Sequence, residues 1–198
     1  MKNKFYTFLA IGLTLLALGI WWWSIQPQTL HTPKPKGYFA IRLPEKKYSL
    51  LGDDARLPYT FALNTSARWE KINEEGWITI HYPSLRAEIQ LTYKKVDGHL
   101  PGLLNDAHTL AYKHAVVAQG IREQLYSHPE NRVFGVLYSL QGEAATPAQF
   151  YATDSSRHFI RGAVYVFAQP NADSLAPVNT FLQEELIHLM ESLEWRGK

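Results

Sequence analysis

Residues 133–168 read VFGVLYSLQGEAATPAQFYATDSSRHFIRGAVYVFA and contain three apolar runs separated by turn-forming residues. The runs at 133–140, 148–153 and 158–168 are rich in aromatic and β-branched residues, which favours strands. Strands that follow one another through short turns pair antiparallel, so this stretch predicts a meander. The first run is apolar on both faces, and we expect it to lie inside the sheet.

Five further strand candidates lie upstream of this stretch and form a second strand group. The runs at 37–43 and 48–51 flank a charged turn and predict a hairpin. A short candidate follows at 58–63. The runs at 77–82 and 87–93 alternate apolar and polar residues, as half-buried antiparallel strands do.

The segment between the two strand groups has helical periodicity. We expect a helix that begins at Pro101 and ends near Val117, with an apolar stripe on about one face, as in a helix that packs on a sheet. After it, the pattern allows either a continued helix or a hairpin of 121–127 with 133–140. We favour the hairpin, because apolar and polar residues alternate from Ile121 onwards.

A second helix is predicted at the C-terminal end. Asn171, Asp173 or Ser174 caps it, and its apolar stripe continues to Leu193. Glu184 and Glu185 are interpreted as a solvated pair on its outer face. Together these elements predict an α+β fold, a mainly antiparallel sheet in two strand groups with two packed helices.

Composition limits the classes of function. The 198 residues include 20 Lys and Arg, 18 Asp and Glu, and no cysteine, which excludes disulfides, thiol nucleophiles and cysteine metal sites within them. Four lysines and no acid give residues 1–36 a charge of +4, so the remaining residues carry −2 of the formal +2. Nucleic-acid binding needs clustered cations on the folded part, and we therefore expect none.

The N-terminal segment predicts a membrane anchor. Residues 5–25 carry no charge, and as a helix they would extend roughly 31 Å, about the thickness of a bilayer core. Lys2 and Lys4 precede the run, so the positive-inside rule places the N-terminus in the cytoplasm. Trp21, Trp22 and Trp23 end the run and would anchor it at the membrane interface. A cleaved signal peptide is the alternative, although no small-residue cleavage pattern follows.

These features predict three regions. Residues 1–25 form an uncleaved signal-anchor, a single-pass transmembrane helix in the inner membrane. Residues 26–36 form a linker, since three prolines oppose regular structure there. Residues 37–198 form a single periplasmic α+β domain.

No residue pattern predicts catalysis, a bound metal or a cofactor. The eight histidines do not occur at metal-ligand spacing. Ser155 and Ser156 lie beside His158, but a catalytic triad needs groups that converge in space from different parts of the chain. The Asp-Ser-Ser segment at 154–156 is therefore interpreted as a self-capped turn.

One polar group is a candidate partner-facing site. Its members are Arg157, His158, Arg161, Asn171 and Asp173. Arg161 lies in an otherwise apolar strand, so it must reach solvent, pair with an acid or face a partner. An ion pair at a sheet edge is the alternative interpretation.

Several stretches are similar to one protein family. They read PKPKGYF (33–39), LPEKKY (43–48), TLAYKH (109–114), DSSRHFIRGA (154–163) and PNADSLAPV (170–178). Together they resemble the gliding-motility-associated lipoprotein family GldD of Bacteroidota. The resemblance implies a role in gliding motility and type IX protein secretion, with other envelope proteins of that machinery as partners. It implies no activity, cofactor or catalytic residue, and the lipid-bearing cysteine of a lipoprotein is missing from these residues.

Three functions are compatible with the sequence. The first is a non-enzymatic envelope component that is held at the inner membrane and contacts motility or secretion proteins. The second is a periplasmic ligand-binding or sensing module, with aromatic residues around a pocket. The third is a hydrolase that uses Ser155 or Ser156 with a histidine. We favour the first, because no catalytic constellation is present in the pattern.

Overall fold

The computed structural model describes residues 2–25, 37, 40–51, 56–73, 75–115, 120–142, 144, 146–169 and 171–196. The chain divides into two compact units, Met1–Gly37 and Tyr38–Lys198. The elements, in chain order, are α1 (Lys2–Ile25), β1 (Tyr48–Leu50), β2 (Tyr59–Thr60), β3 (Ala62–Asn64), β4 (Arg68–Lys71), β5 (Ile78–Tyr82), β6 (Ala87–Lys95), α2 (Leu100–Ala115), β7 (Gly120–His128), β8 (Val133–Gln141), β9 (Ala148–Thr153), β10 (His158–Val166), α3 (Ala172–Glu191) and β11 (Glu194–Trp195).

The N-terminal segment forms helix α1, as the sequence predicts. Its last turns carry Trp21, Trp22 and Trp23, and all three indole side chains are exposed. Among the described residues, however, no helix has the length and apolar character needed to cross a membrane. The predicted transmembrane anchor is therefore not supported.

Within the described residues, seven strands form one antiparallel sheet in the order β4-β5-β6-β10-β9-β8-β7. Strands β7 to β10 are successive neighbours, which confirms the predicted meander and the predicted hairpin of β7 with β8. Strand β8 pairs on both sides, as its apolar sequence predicts. Strand β10 pairs with β6 over nine residues and so joins the two strand groups.

The two faces of the sheet carry different helices. On β8, Leu137 belongs to the main core, which includes α3, whereas the next residue, Tyr138, packs with Ala111 of α2. Because neighbouring residues of a strand point to opposite faces, α2 and α3 lie on opposite sides of the sheet. The predicted α+β fold with two packed helices is thus confirmed.

The predicted hairpin of 37–43 with 48–51 is wrong. Residues 37 and 40–43 contain no strand, and Tyr38 and Phe39 lie outside the described residues. Strand β1 pairs instead with β3, in the antiparallel direction. Backbone hydrogen bonds from Leu51 to Phe61 and from Thr65 to Lys47 extend this pairing.

Other differences concern short elements. The run at 58–63 divides at Phe61 into β2, which pairs with β11, and β3, which pairs with β1. Strands β4 and β11 were not predicted, because they are only four and two residues long. Helix α2 begins one residue earlier than expected, and residues 116–119, where its predicted end falls, lie outside the described residues.

Candidate functional site

A groove lies where α2 meets the exposed part of its sheet face. Helix α2 packs against β7, β8 and β9, and the groove, of about 370 Å³, lies between α2 and strands β6 and β10. We call it the α2 groove. The sheet contributes Trp77, Thr92, Lys94, Phe159 and Arg161, and α2 contributes Leu103, Asp106, Ala107, Thr109, Leu110 and Lys113.

Arg161 is the cation on the floor of the α2 groove. It lies opposite Thr92 of β6 and Tyr151 of β9 in the sheet register. Its Nη2 donates a hydrogen bond of 2.6 Å to Oε1 of Gln149. Burial lowers the pKa of the guanidinium, because removal from water disfavours the charged form.

The surroundings of Arg161 do not neutralise its charge. In the part of the chain that the structure describes, no carboxylate lies within salt-bridge distance of Arg161. Gln149 is 1 % exposed, and its Nε2 has no hydrogen-bond partner among the described residues. The side chains around the groove include the cations Arg161, Lys94 and Lys113 but the single carboxylate of Asp106. The α2 groove is therefore suited to an anion.

The second polar site is the turn between β9 and β10. Oδ1 of Asp154 accepts hydrogen bonds from the backbone N–H groups of Ser156 (3.0 Å), Arg157 (2.7 Å) and His158 (2.7 Å). Oδ2 accepts a hydrogen bond of 3.0 Å from the Ser156 hydroxyl. The self-capped turn that the sequence predicts is therefore confirmed, and this carboxylate serves to hold the turn.

His158 begins β10 directly after this turn. The ring is buried, its Nδ1 shares a hydrogen bond of 2.8 Å with the Tyr93 hydroxyl, and it stacks on the Trp195 indole at 5.2 Å between ring centroids. The side chain of Arg157 is exposed beside it. His158 thereby ties β10 to β6 and to β11.

The remaining predicted site residues lie at the other end of β10. Oδ1 of Asn171 accepts a hydrogen bond of 2.9 Å from the Ser174 N–H and caps α3, as predicted. Asp173 is exposed in the first turn of that helix. Strand β10 is nine residues long, so its two ends, His158 and Val166, lie roughly 26 Å apart. The structure thus brings Arg157 and His158 together but separates them from Asn171 and Asp173, with Arg161 between the two ends.

Sequence reasoning identified Arg161 but missed the residues around it. Gln149 looked like an ordinary polar position in a strand. Asp106 and Lys113 are seven residues apart and border the apolar stripe of α2, a spacing that places them on one helix face. This seven-residue spacing was the signal in the sequence that could have placed both residues at the site. Among the described residues, no group of three or more His, Cys, Asp or Glu is placed to hold a metal ion.

We expect acid to weaken the fold through Asp154. Burial would raise the pKa of this carboxyl, but the hydrogen bonds from His158, Arg157 and Ser156 outweigh it and lower the pKa to about 2, against an ordinary 3.8. The folded chain therefore binds this proton more weakly than the unfolded chain. Its contribution, about 1–2 kcal/mol, is complete above pH ~5 and is lost as the pH falls towards 2.

The measurement compares the native chain with Asp154→Asn by urea unfolding at pH 6, 4 and 3. The variant keeps an acceptor oxygen but cannot ionise, so the difference in unfolding free energy between the two chains should shrink as the pH falls. A difference that stays constant from pH 6 to pH 3 contradicts this assignment.

Comparison with known proteins identifies the family. The family model described as gliding motility lipoprotein GldD matches residues 28–195. No curated protein matches the chain. The match includes both strand groups, α2 and α3, and therefore the α2 groove and the Asp154 turn. The chain belongs to the GldD gliding motility lipoprotein family.

Proposed function

We propose that this chain is a non-enzymatic component of the cell envelope that supports gliding motility, type IX protein secretion or both through contacts with other proteins. The observation that carries the proposal is membership of the GldD family over residues 28–195. The α2 groove supports a contact role, because it presents a partly buried arginine to solvent without a carboxylate partner among the described residues.

The test is a deletion strain of the host bacterium with a complementing copy of the full chain. We expect the deletion to abolish spreading on agar, to retain the cargo of type IX secretion inside the cell, or both, and the full chain to restore what is lost. A deletion strain that glides and secretes as the parent does would overturn the proposal.

The proposal includes attachment to a membrane through the apolar surface of α1, a helix that does not qualify as a membrane span, with Tyr38–Lys198 on the periplasmic side. The family description supports an envelope protein held at a membrane. Helix α1 exposes apolar side chains such as Leu15, Ile20 and Trp22, which a membrane could cover. Removal of residues 2–25 from a chain secreted with an unrelated signal should release it into the soluble periplasmic fraction. Retention of that shortened chain in the membrane fraction would argue against attachment through α1.

A second candidate function is a ligand-binding or sensing module in the periplasm. The volume of the α2 groove, about 370 Å³, falls within the usual range of small-molecule sites, about 300–1,000 Å³. Native mass spectrometry of the full chain from its own envelope would reveal a bound small molecule as a discrete added mass. A spectrum of the chain alone would count against this candidate.

A further inference from the structure

The α2 groove contains a cation that the described part of the chain does not neutralise. Arg161 is half-buried, and its guanidinium donates a hydrogen bond to the neutral amide oxygen of Gln149. The amide nitrogen of Gln149, Nε2, is buried without a partner among the described residues. Burying a charge without a counter-ion is costly. An anion that enters the groove would remove this cost, which makes the groove a favourable place for one.

We propose that the α2 groove is a docking site for an acidic segment of a partner protein, with a carboxylate of that segment bound by the guanidinium of Arg161. The inference deepens the proposed function, on which it rests, by naming the chemistry of the partner. An arginine fork can bind a carboxylate through two parallel hydrogen bonds. Here one Nη is fixed by Gln149, which holds the fork in place within the sheet.

The charges around the groove favour an acidic segment. Arg161, Lys94 and Lys113 contribute three positive charges to the lining, and Asp106 contributes one negative charge. The remaining positive potential attracts carboxylates and disfavours neutral or basic segments. Charge complementarity therefore matches Glu or Asp side chains.

The shape of the groove favours a peptide segment over a small anion. Apolar side chains that reach the surface line the groove, exposed Leu110 on α2 and partly exposed Trp77 before β5, and they offer contacts to residues next to the bound acid. A segment of alternating acidic and apolar residues can place an acid at Arg161 and set its neighbours against these side chains.

The test measures binding of two dye-labelled hexapeptides to the full chain by fluorescence anisotropy at low salt. In one peptide Glu alternates with Leu, and in the other Gln replaces each Glu. We expect the Glu peptide to bind at least about tenfold more tightly than the Gln peptide, as charge-assisted hydrogen bonds require. In Arg161→Gln this preference should disappear.

Two further variants keep the test decisive. Arg122→Gln removes an exposed arginine of β7, outside the groove, and should keep the preference. Lys113→Gln removes an exposed rim cation of α2 and should reduce it about two- to fivefold, even if Arg161→Gln does not fold. Failure of the native chain to prefer the Glu peptide, or an equal loss in Arg122→Gln, would overturn the inference. Tighter binding of a phosphoserine peptide, or of vesicles of phosphatidylglycerol, would overturn the inference and would assign the groove to a phosphorylated partner or to a lipid surface instead.

Complementation separates this inference from the proposed function. If the deletion strain has the expected defect and Arg161→Gln restores it fully at normal chain abundance, the docking inference fails while the proposed function stands. If the deletion has no defect, the proposed function fails by itself, and the peptide experiment still decides what the groove binds.

Discussion

Replacement of Glu185 by alanine is expected to lower the free energy of unfolding by about 3 kcal/mol. Glu185 of α3 is a charged residue, but it is only 5 % exposed, and its carboxylate lies in the core. Its Oε1 accepts hydrogen bonds from the Tyr48 hydroxyl (2.9 Å) and from Nδ2 of Asn64 (3.2 Å), and its Oε2 accepts one from the Tyr82 hydroxyl (2.8 Å). One side chain thus joins α3 to β1, β3 and β5, and its loss would leave three donors without this acceptor.

The two tyrosines are held as neutral donors. Burial, followed by the interactions with Glu185, raises the pKa of both Tyr48 and Tyr82 above the ordinary 10. Both hydroxyls therefore keep their protons through the neutral range, and the network stays intact there. Alanine would also leave a cavity where the carboxylate was, which adds to the cost of the unpaired donors.

Glu184 provides the matched control. It is the preceding residue of α3, but its side chain is about half exposed and pairs with Lys46 at 2.9 Å at the surface. Glu184→Ala should change the unfolding free energy by no more than about 0.5 kcal/mol. Chemical unfolding of the full chain, followed by tryptophan fluorescence, measures both variants. Equal effects of the two substitutions would show that the buried network contributes nothing beyond helix propensity.

The interpretation of Glu184 and Glu185 as a solvated pair is therefore correct for the first and wrong for the second. Successive helical residues are about 100° apart, and Glu185 lies four residues after Phe181 and four before Leu189, on the apolar stripe. The helical periodicity of α3 places Glu185 on the buried face of the helix, whereas the charge of its side chain suggested an exposed position. Its three partners come from strands far away in sequence, and no local pattern reveals that they would meet it.

The same limit explains how much of the fold was predictable. Runs such as 133–140 and 158–168 are long and strongly patterned, so their strands and turns follow from local chemistry. Strands β4 and β11 are short and form through their partners, which sequence patterns do not specify. Asn64 of β3, which lies opposite Tyr48 of β1, donates hydrogen bonds from Nδ2 to the Glu45 carbonyl oxygen and to Oε1 of Glu185. These are tertiary contacts that a local sequence pattern does not reveal.

Arg161 is the one residue of the α2 groove that the sequence analysis identified. It could be identified because it is a cation inside an otherwise apolar strand. The sequence analysis grouped Arg161 with residues close to it along the chain. Asn171, however, follows the end of β10 and lies away from Arg161, because an extended strand separates residues that are close in sequence. The residues that do surround Arg161, Gln149 of β9 and Lys113 of α2, are brought there by sheet register and helix packing.

Replacement of Gly135 by alanine is expected to destabilise the chain by about 3 kcal/mol or more. Gly135 is buried in β8 and lies opposite Ala152 of β9. A Cβ atom at this position would clash with the carbonyl oxygen of Tyr151 and would lie 3.1 Å from the Cα atom of Ala152. These are backbone atoms of a neighbouring strand, so no side-chain rotation relieves the clash, and β9 would have to move away from β8.

Gly120→Ala is the control for this substitution. Gly120 lies in the adjacent strand β7, where a Cβ atom would meet, among the residues that the structure describes, the end of the Gln141 side chain at 3.4 Å. Its replacement should change stability by less than about 1 kcal/mol. The melting temperature of the full chain should therefore fall by several degrees or more in Gly135→Ala and change little in Gly120→Ala.

Because β9 carries Gln149, which fixes Arg161, the same displacement of β9 should also weaken binding of the Glu peptide at temperatures where Gly135→Ala is still folded. If Gly135→Ala melts with the native chain, the close approach of β8 and β9 at this point is wrong.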